Sequence, residues 1–512
     1  SKQVIFNLFP SIIINNLPCS NYTVCSEFLF FSSLTYRLRL CLSLSNKVCN
    51  RIGQMRTSIR LLLLFISLQS FSSFADSEQI KILVVGAGIS GLGAAKDLHD
   101  SGYEVTVLEA RNKIGGRIDT DRSLGFPLER GASWIHSNKL ENNRLMSIKE
   151  ELGLKTYISP LSAYDGVRLF DKNGKVINLQ EGDLEKIEFR IGLVAYIASY
   201  IRPSATLEGV INFLKRIGLL SFAPNAVLQA IHQTLELSAG EDSKNMPIGV
   251  LVAETEYIEN AGVDEEVFGG FDQITDHLSI NLDIKLNTPV TKIDYSSKKI
   301  KVFSSKQVYV ADAVVVTVPL GVLQKNLIEF VPELPEKKKD AVKNINLGNV
   351  NKVIFKFPYS FWGDDKMFFI EREDRHAFST WFNNEVMVTE PVIYSIISGD
   401  YSREIEKKSD EYIIEEAMKP LKIVYGEDIP KPEAYLITRW GLEPYILGAY
   451  SAPGHAQDDL KLRTELANQI ENKIFFAGEA TSVNEYGFSH AALYTGLREA
   501  AKIKKIYTIP TQ

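Results

Sequence analysis

At 512 residues the chain is too long for one small domain, and about 150 residues per unit leaves room for roughly three. Hydrophobic residues make up 45% and charged residues 23%, which excludes a disordered tail, a collagen and a multi-span membrane protein. The formal charge of -6 argues against a nucleic-acid binder that relies on bulk positive charge.

Charge and cysteine are unevenly placed. Residues 1 to 75 carry seven basic residues against one acid, a net +6, so residues 76 to 512 carry -12. All four cysteines (Cys19, Cys25, Cys41, Cys49) lie in that first stretch. The remainder can therefore hold no disulfide, thiolate metal site or cysteinyl cofactor linkage. After Met55, a basic start, a short apolar run at 61 to 68 and small residues up to Ala75 have the layout of a secretory signal peptide. The expectation is upstream sequence over 1–54, a signal peptide over 55–75, an extracellular or periplasmic protein and no stable membrane anchor, the apolar run being too short to span a bilayer comfortably.

Lys81 to Val85 is a short apolar run and reads as a buried parallel strand. Gly86, Ala87, Gly88, Ile89, Ser90 and Gly91 follow at once, then a helical stretch from Leu92 and a second strand from Glu104 to Glu109. In such a unit Gly86 permits the tight turn and Gly88 lets backbone N–H groups approach a pyrophosphate. Gly91 lets the helix pack close, and the N-terminus of the helix favours the anion. Glu109, eighteen residues after Gly91, is placed to accept from both ribose hydroxyls and to repel a 2′-phosphate. Ala110 and Arg111 continue into Gly115, Gly116 and Arg117, a second Gly-Gly-Arg loop that suits the longer flavin dinucleotide and that an NAD site does not need. Gly131, Ala132, Ser133, Trp134 and His136 then offer small residues where backbone would pass close to a ring system.

This succession resembles the flavin-containing amine oxidase family, which includes polyamine, monoamine and L-amino-acid oxidases and lysine-specific histone demethylases. The resemblance covers nearly all of 80 to 505. It implies a Rossmann-like FAD-binding domain (76–140, 248–345 and 448–505) interleaved with an α+β substrate-binding domain (141–247 and 346–447). Within it, Gly269 to Leu278 looks like a glycine-led helix, and Val290 lies in a strand that runs along the adenine in relatives. Lys352 matches the lysine bonded through water to flavin N5 in polyamine oxidases, whereas Lys356 on the same strand face matches nothing functional. Trp440 falls in the segment under the isoalloxazine ring. Gly478 and Glu479 match the turn at the ribityl chain. Phe488 and Ser489 open the closing helix, and Tyr450 with Phe488 matches the aromatic pair flanking the substrate amine. Two departures are Ser137, where relatives usually carry glycine, and a closing motif reading Tyr-Gly-Phe-Ser-His-Ala.

The resemblance implies non-covalent FAD, a cationic amine of the spermine or spermidine class and O2. The reaction would be hydride transfer from the carbon alpha to nitrogen onto flavin N5, imine hydrolysis and H2O2 formation. His136 would tune the amine's protonation or bond a distal nitrogen. A monoamine oxidase is disfavoured because its covalent flavin needs a cysteine. A histone demethylase is disfavoured by the lack of room for its long helical insertion and by the signal-like segment. An L-amino-acid or other amine oxidase is the alternative, a catalytically silent flavin-binding module is the alternative from another class, and a flavin desaturase or NAD dehydrogenase is weaker.

Overall fold

The computed structural model describes residues 79–136, 138–139, 143–160, 166–248, 262–454, 459–483 and 485–508. The signal-like segment, the stretch before it and Ser137 lie outside them.

The strands Ile474–Phe476, Ala313–Val316, Lys81–Val85, Glu104–Leu108 and Asp283–Lys285 form, in that order, a parallel five-stranded sheet. Its central strand is apolar throughout because both faces are covered. Ile82 and Val84 pack with Leu92, Leu98, Phe271 and Ile503, while Leu83 and Val85 pack with Ile293, Val302 and Phe330. The helices Ile89–Asp100 and Ser489–Ile506 lie against each other on the first face. Close packing needs glycine at two points: a Cβ on Gly91 would stand 2.0 Å from the Gly86 carbonyl oxygen in the turn before its own helix, and between the two helices one on Gly496 would stand 2.0 Å from the Ser90 carbonyl oxygen. The strand Val290–Asp294 belongs to a four-stranded sheet beside the second face, between Ile300–Ser304 and Glu329–Val331.

A six-stranded sheet runs in the order Ala434–Ile437, Val350–Lys356, Val392–Ser398, Thr380–Asn383, Met367–Ile370, Val167–Phe170, antiparallel except for the last pair. Side-chain alternation divides its core. Val353 and Phe355 face Trp381 and the helix Asp410–Tyr425, and Ile354 with Val350 faces Phe382, Tyr394 and Ile396. Lys352 shares the second face, a cation inserted among apolar neighbours.

Three helices follow one another at Asp183–Ile201, Leu207–Arg216 and Asn225–Ala239. Leu207, Val210, Ile211 and Leu214 give the second one buried stripe, and the Thr206 hydroxyl caps its start by accepting from the Gly209 N–H at 3.2 Å. The third ends at Gly240, left-handed at φ +68°, against the ring of Tyr450. The architecture is mixed α/β, with parallel and antiparallel sheets. Among the described residues no helix is long and apolar enough to cross a membrane.

Candidate active site

A cavity of about 570 Å³ begins at the carboxyl ends of the parallel strands, at Gly86, Glu109, Thr317 and Gly478, and continues to the six-stranded sheet face that carries Lys352. Strand carboxyl ends are where parallel α/β sheets bind ligands, and the volume lies within the usual ~300–1,000 Å³ of ligand pockets.

At the sheet end, Gly86 turns at φ +108° and Gly88 precedes the helix Ile89–Asp100, whose start has no side-chain cap, leaving its first N–H groups to the cavity side. A Cβ on Gly88 would meet nothing within 4 Å, and one on Gly478 only the Thr317 carbonyl oxygen at 3.9 Å. Both glycines thus border open space that a side chain would fill. Gly116, left-handed at φ +62°, brings the second loop within 3.3 Å of the Gly88 Cα, measured from an added Cβ. Glu109 is buried, and its carboxylate accepts the Ala87 N–H at 2.7 Å and the Arg111 N–H at 2.8 Å. Burial raises it above the usual carboxylate range against those two bonds. A carboxylate has about four acceptor sites, so these bonds leave acceptor capacity over. Ser90, Ala110, Arg111, Ala132, Val290 and Ser489 also border the cavity, whereas Gly91 lies beneath it and Ser133 turns away toward Lys352.

Arg117 donates to the Ala449 carbonyl at 2.7 Å and to the Glu479 carboxylate at 2.9 Å. Glu479 also accepts the Ser451 hydroxyl at 2.5 Å and the Gly487 N–H at 2.9 Å. Burial opposes its ionisation, but Arg117, Ser451 and the charge of Arg463 together hold it below its ordinary value. Arg463, fully buried, donates to Ser451 at 2.8 Å and to Asp459 at 2.7 Å and lies 3.2 Å from the centre of the Tyr486 ring. No motif pointed to Arg463. Its only trace in the sequence is Asp459 four residues earlier on the same helix.

Toward the six-stranded sheet the wall is aromatic. Trp440 is buried, donates to the Arg130 carbonyl at 3.1 Å and packs against Gly131. The Tyr450 hydroxyl donates to the Leu237 carbonyl, and its ring lies against Gly487. The Phe488 ring is 4.8 Å from that of His136. Tyr450 and Phe488 therefore border one cavity, but each ring leans on a different neighbour. His136 Nδ1 is 3.1 Å from a carboxylate oxygen of Asp264, which borders the same cavity and was not singled out from the sequence.

Lys352 is buried and donates to the Glu129 carbonyl at 3.0 Å, the Gly131 carbonyl at 2.7 Å and the Ser133 hydroxyl at 2.5 Å. Its ammonium lies over Trp134 and Tyr394, 5.7 and 5.5 Å from their centres. Burial lowers its pKa against the opposing charges of Glu129 and Glu266. Lys356 instead pairs with Glu390 and Glu433 at 3.5 and 3.6 Å.

The donors and acceptors fit a flavin dinucleotide: an open glycine cradle at a helix start, a buried carboxylate with acceptor capacity left over, and an aromatic-walled chamber continuous with both. Residues 89–504 match the family model described as flavin containing amine oxidoreductase. The chain is 32% identical over 452 residues to probable polyamine oxidase 4 of Arabidopsis thaliana, covering 82% of this chain and 86% of that one. It is 30% identical over 449 residues to polyamine oxidase 4 of Oryza sativa subsp. japonica, covering 83% and 88%. It is also 30% identical over 456 residues to lysine-specific histone demethylase 2 of Homo sapiens, covering 84% of this chain and 54% of that protein.

Proposed function

This chain belongs to the flavin-containing amine oxidoreductase family, which makes it an oxidoreductase of CH–NH or CH–NH2 donors, and we propose that it is an FAD-dependent polyamine oxidase. The observation that carries this reading is the single cavity joining the glycine cradle and Glu109 to the chamber of Lys352, Trp440, Tyr450 and Phe488. The parallel sheet supports a Rossmann-like FAD-binding domain, and the six-stranded sheet supports a substrate domain interleaved with it. Non-covalent binding is part of this proposal, supported by the absence from residues 76 to 512 of any cysteine that could link the flavin through sulfur. Export remains part of the proposal, on the layout of residues 56 to 75.

A bound flavin would supply the hydride-accepting chemistry, with O2 as the final oxidant and H2O2 as the product. Glu109 would hold the ribose hydroxyls, the uncapped helix start would take the diphosphate, and Arg117 with Glu479 would fix the wall along the ribityl chain. Trp440, Tyr450 and Phe488 exclude water and orient the amine. Their faces attract the cation, while the dry surroundings favour the neutral amine that can release hydride. Lys352 would position a water at the reacting face by exchanging one of the three protein acceptors that take up its N–H groups here. His136 and Asp264 supply a polar pair for a distal nitrogen.

An amine panel with a peroxide readout and product identification tests this reading: spermine and spermidine should be turned over in preference to benzylamine and L-amino acids. The match to a histone demethylase favours one second reading, oxidation of an N-methyl-lysine side chain. A methyl-lysine peptide in the same panel decides it, since release of formaldehyde from that peptide with no turnover of polyamines would replace the first reading.

A further inference from the structure

Behind Lys352 lies a second, smaller chamber of about 20 Å³, bordered by Glu129, Ser133, Glu266, Lys352 and Tyr394. That is room for one water among polar groups. Lys352 borders this chamber and the large cavity alike, so its ammonium is the polar link between them. Glu266 is buried and accepts the Trp134 indole N–H at 3.1 Å, because Trp134 and Glu266 are paired across two antiparallel strands. Glu129 turns its carboxylate inward to the Phe271 N–H at 2.8 Å and the Thr120 hydroxyl at 3.0 Å. Among the described residues the Lys352 ammonium donates to carbonyl and hydroxyl oxygens and to no carboxylate.

Two carboxylates and one ammonium leave one uncompensated negative charge if all three ionise. In an enclosed site that charge costs several kcal/mol, whereas one added proton removes it. Burial raises both carboxyls above their ordinary values, Glu266 to about 7. The other titratable groups facing the site are the Tyr394 hydroxyl, which burial keeps protonated, and, behind Glu129, Asp272, itself ion-paired with Arg122.

We propose that Glu129, Glu266 and Lys352 form a proton-holding site in which the two carboxyl groups share one proton near neutral pH, and that Glu266 takes the proton which an incoming alkylammonium must lose before oxidation. At rest Lys352 is the ammonium, so the transfer balances in two moves: Lys352 passes one proton through the chamber to the remaining carboxylate, and the neutral amine so formed takes one proton from the substrate nitrogen, leaving both carboxyls protonated and Lys352 again an ammonium. Glu266 touches neither substrate nor flavin and is a positioning residue acting through Lys352. Its role in the reaction rests on the amine oxidase reading, but the shared proton does not.

Infrared difference spectroscopy of the holoenzyme tests the proton without turnover. Glu188 is another buried carboxyl, so the quantity read is wild type minus variant at pH 7. The protonated-carboxyl C=O band should be lost in Glu266→Gln and equally in Glu129→Gln, since either change leaves the remaining carboxylate to balance Lys352. A featureless difference for either variant overturns the shared proton. In the pH profile of anaerobic flavin reduction, Glu266→Gln should move the acidic limb down by about one unit or more, and Glu266→Asp should restore it. If the infrared band behaves as expected but the limb stays in place, the proton is shared and the assigned role in the reaction is wrong. Reduction by no amine at all overturns the oxidase reading and leaves the infrared result standing.

Discussion

Glu109 and Lys352 are legible in the sequence for different reasons, and each supports a test at its own position. Glu109 can be found from spacing alone, because a βα turn of glycines fixes where the next strand must end. With Ala87 and Arg111 occupying two of its acceptor sites, Glu109→Ala removes both the loop anchor and the ribose acceptors. Affinity of the apoprotein for FAD should fall by about a hundredfold to ten-thousandfold, at about 1.5–3 kcal/mol for each of the two charged hydrogen bonds lost, read by flavin fluorescence titration. Lys352 has no such spacing rule and was found through resemblance. The physical mark it carries is a lysine on the core face of a strand, among Val350 and Ile354. Lys352→Met should retain FAD, because the side chain makes no contact with the glycine cradle, and should slow flavin reduction or reoxidation by about 10²-fold. Single-turnover rates at equal flavin content check this.

At the scale of elements, the short apolar strands Lys81–Val85, Ala313–Val316 and Ile474–Phe476 were readable because burial on both faces writes itself as an unbroken apolar run. The partners of buried charges were not readable. Glu129, Glu266 and Asp264 meet their neighbours only once distant strands and loops have come together, and one chain without those contacts gives no sign of them. The helix Asp183–Ile201 shows the same limit. It buries Glu188, whose carboxyl has no hydrogen-bond partner among the described residues. Burial and the nearby Glu185 raise it to about 8. Between the ordinary carboxylate range and that value the folded chain holds a proton that the unfolded chain has released. Stability therefore falls as pH rises through this window, by about 1.4 kcal/mol per unit from this group, and the loss is complete above the folded value. Glu188→Leu should remove that slope and raise Tm at pH 8 more than at pH 5, measured by thermal melts across the window.

For the whole molecule, two properties of residues 76 to 512 bear on function: the charge of -12 and the absence of cysteine. Without cysteine, acid or heat precipitation should release the flavin into the supernatant as FAD, and flavin retained on the polypeptide would contradict the non-covalent reading. The negative charge suits a multiply cationic substrate. An amino-acid substrate would instead call for an arginine clamp on its carboxylate. Arg111, Arg117 and Arg130 border the cavity, but all are already engaged: Arg111 with Asp119, Arg117 with Glu479, and Arg130 with Asp119 and Glu443. The most direct test of the account is anaerobic stopped-flow reduction of the holoenzyme by spermine, spermidine, benzylamine and an L-amino acid, each over a concentration series. Bleaching of the oxidised flavin should be fastest with spermine or spermidine. Faster bleaching by the amino acid, or none with any amine, would contradict a polyamine oxidase.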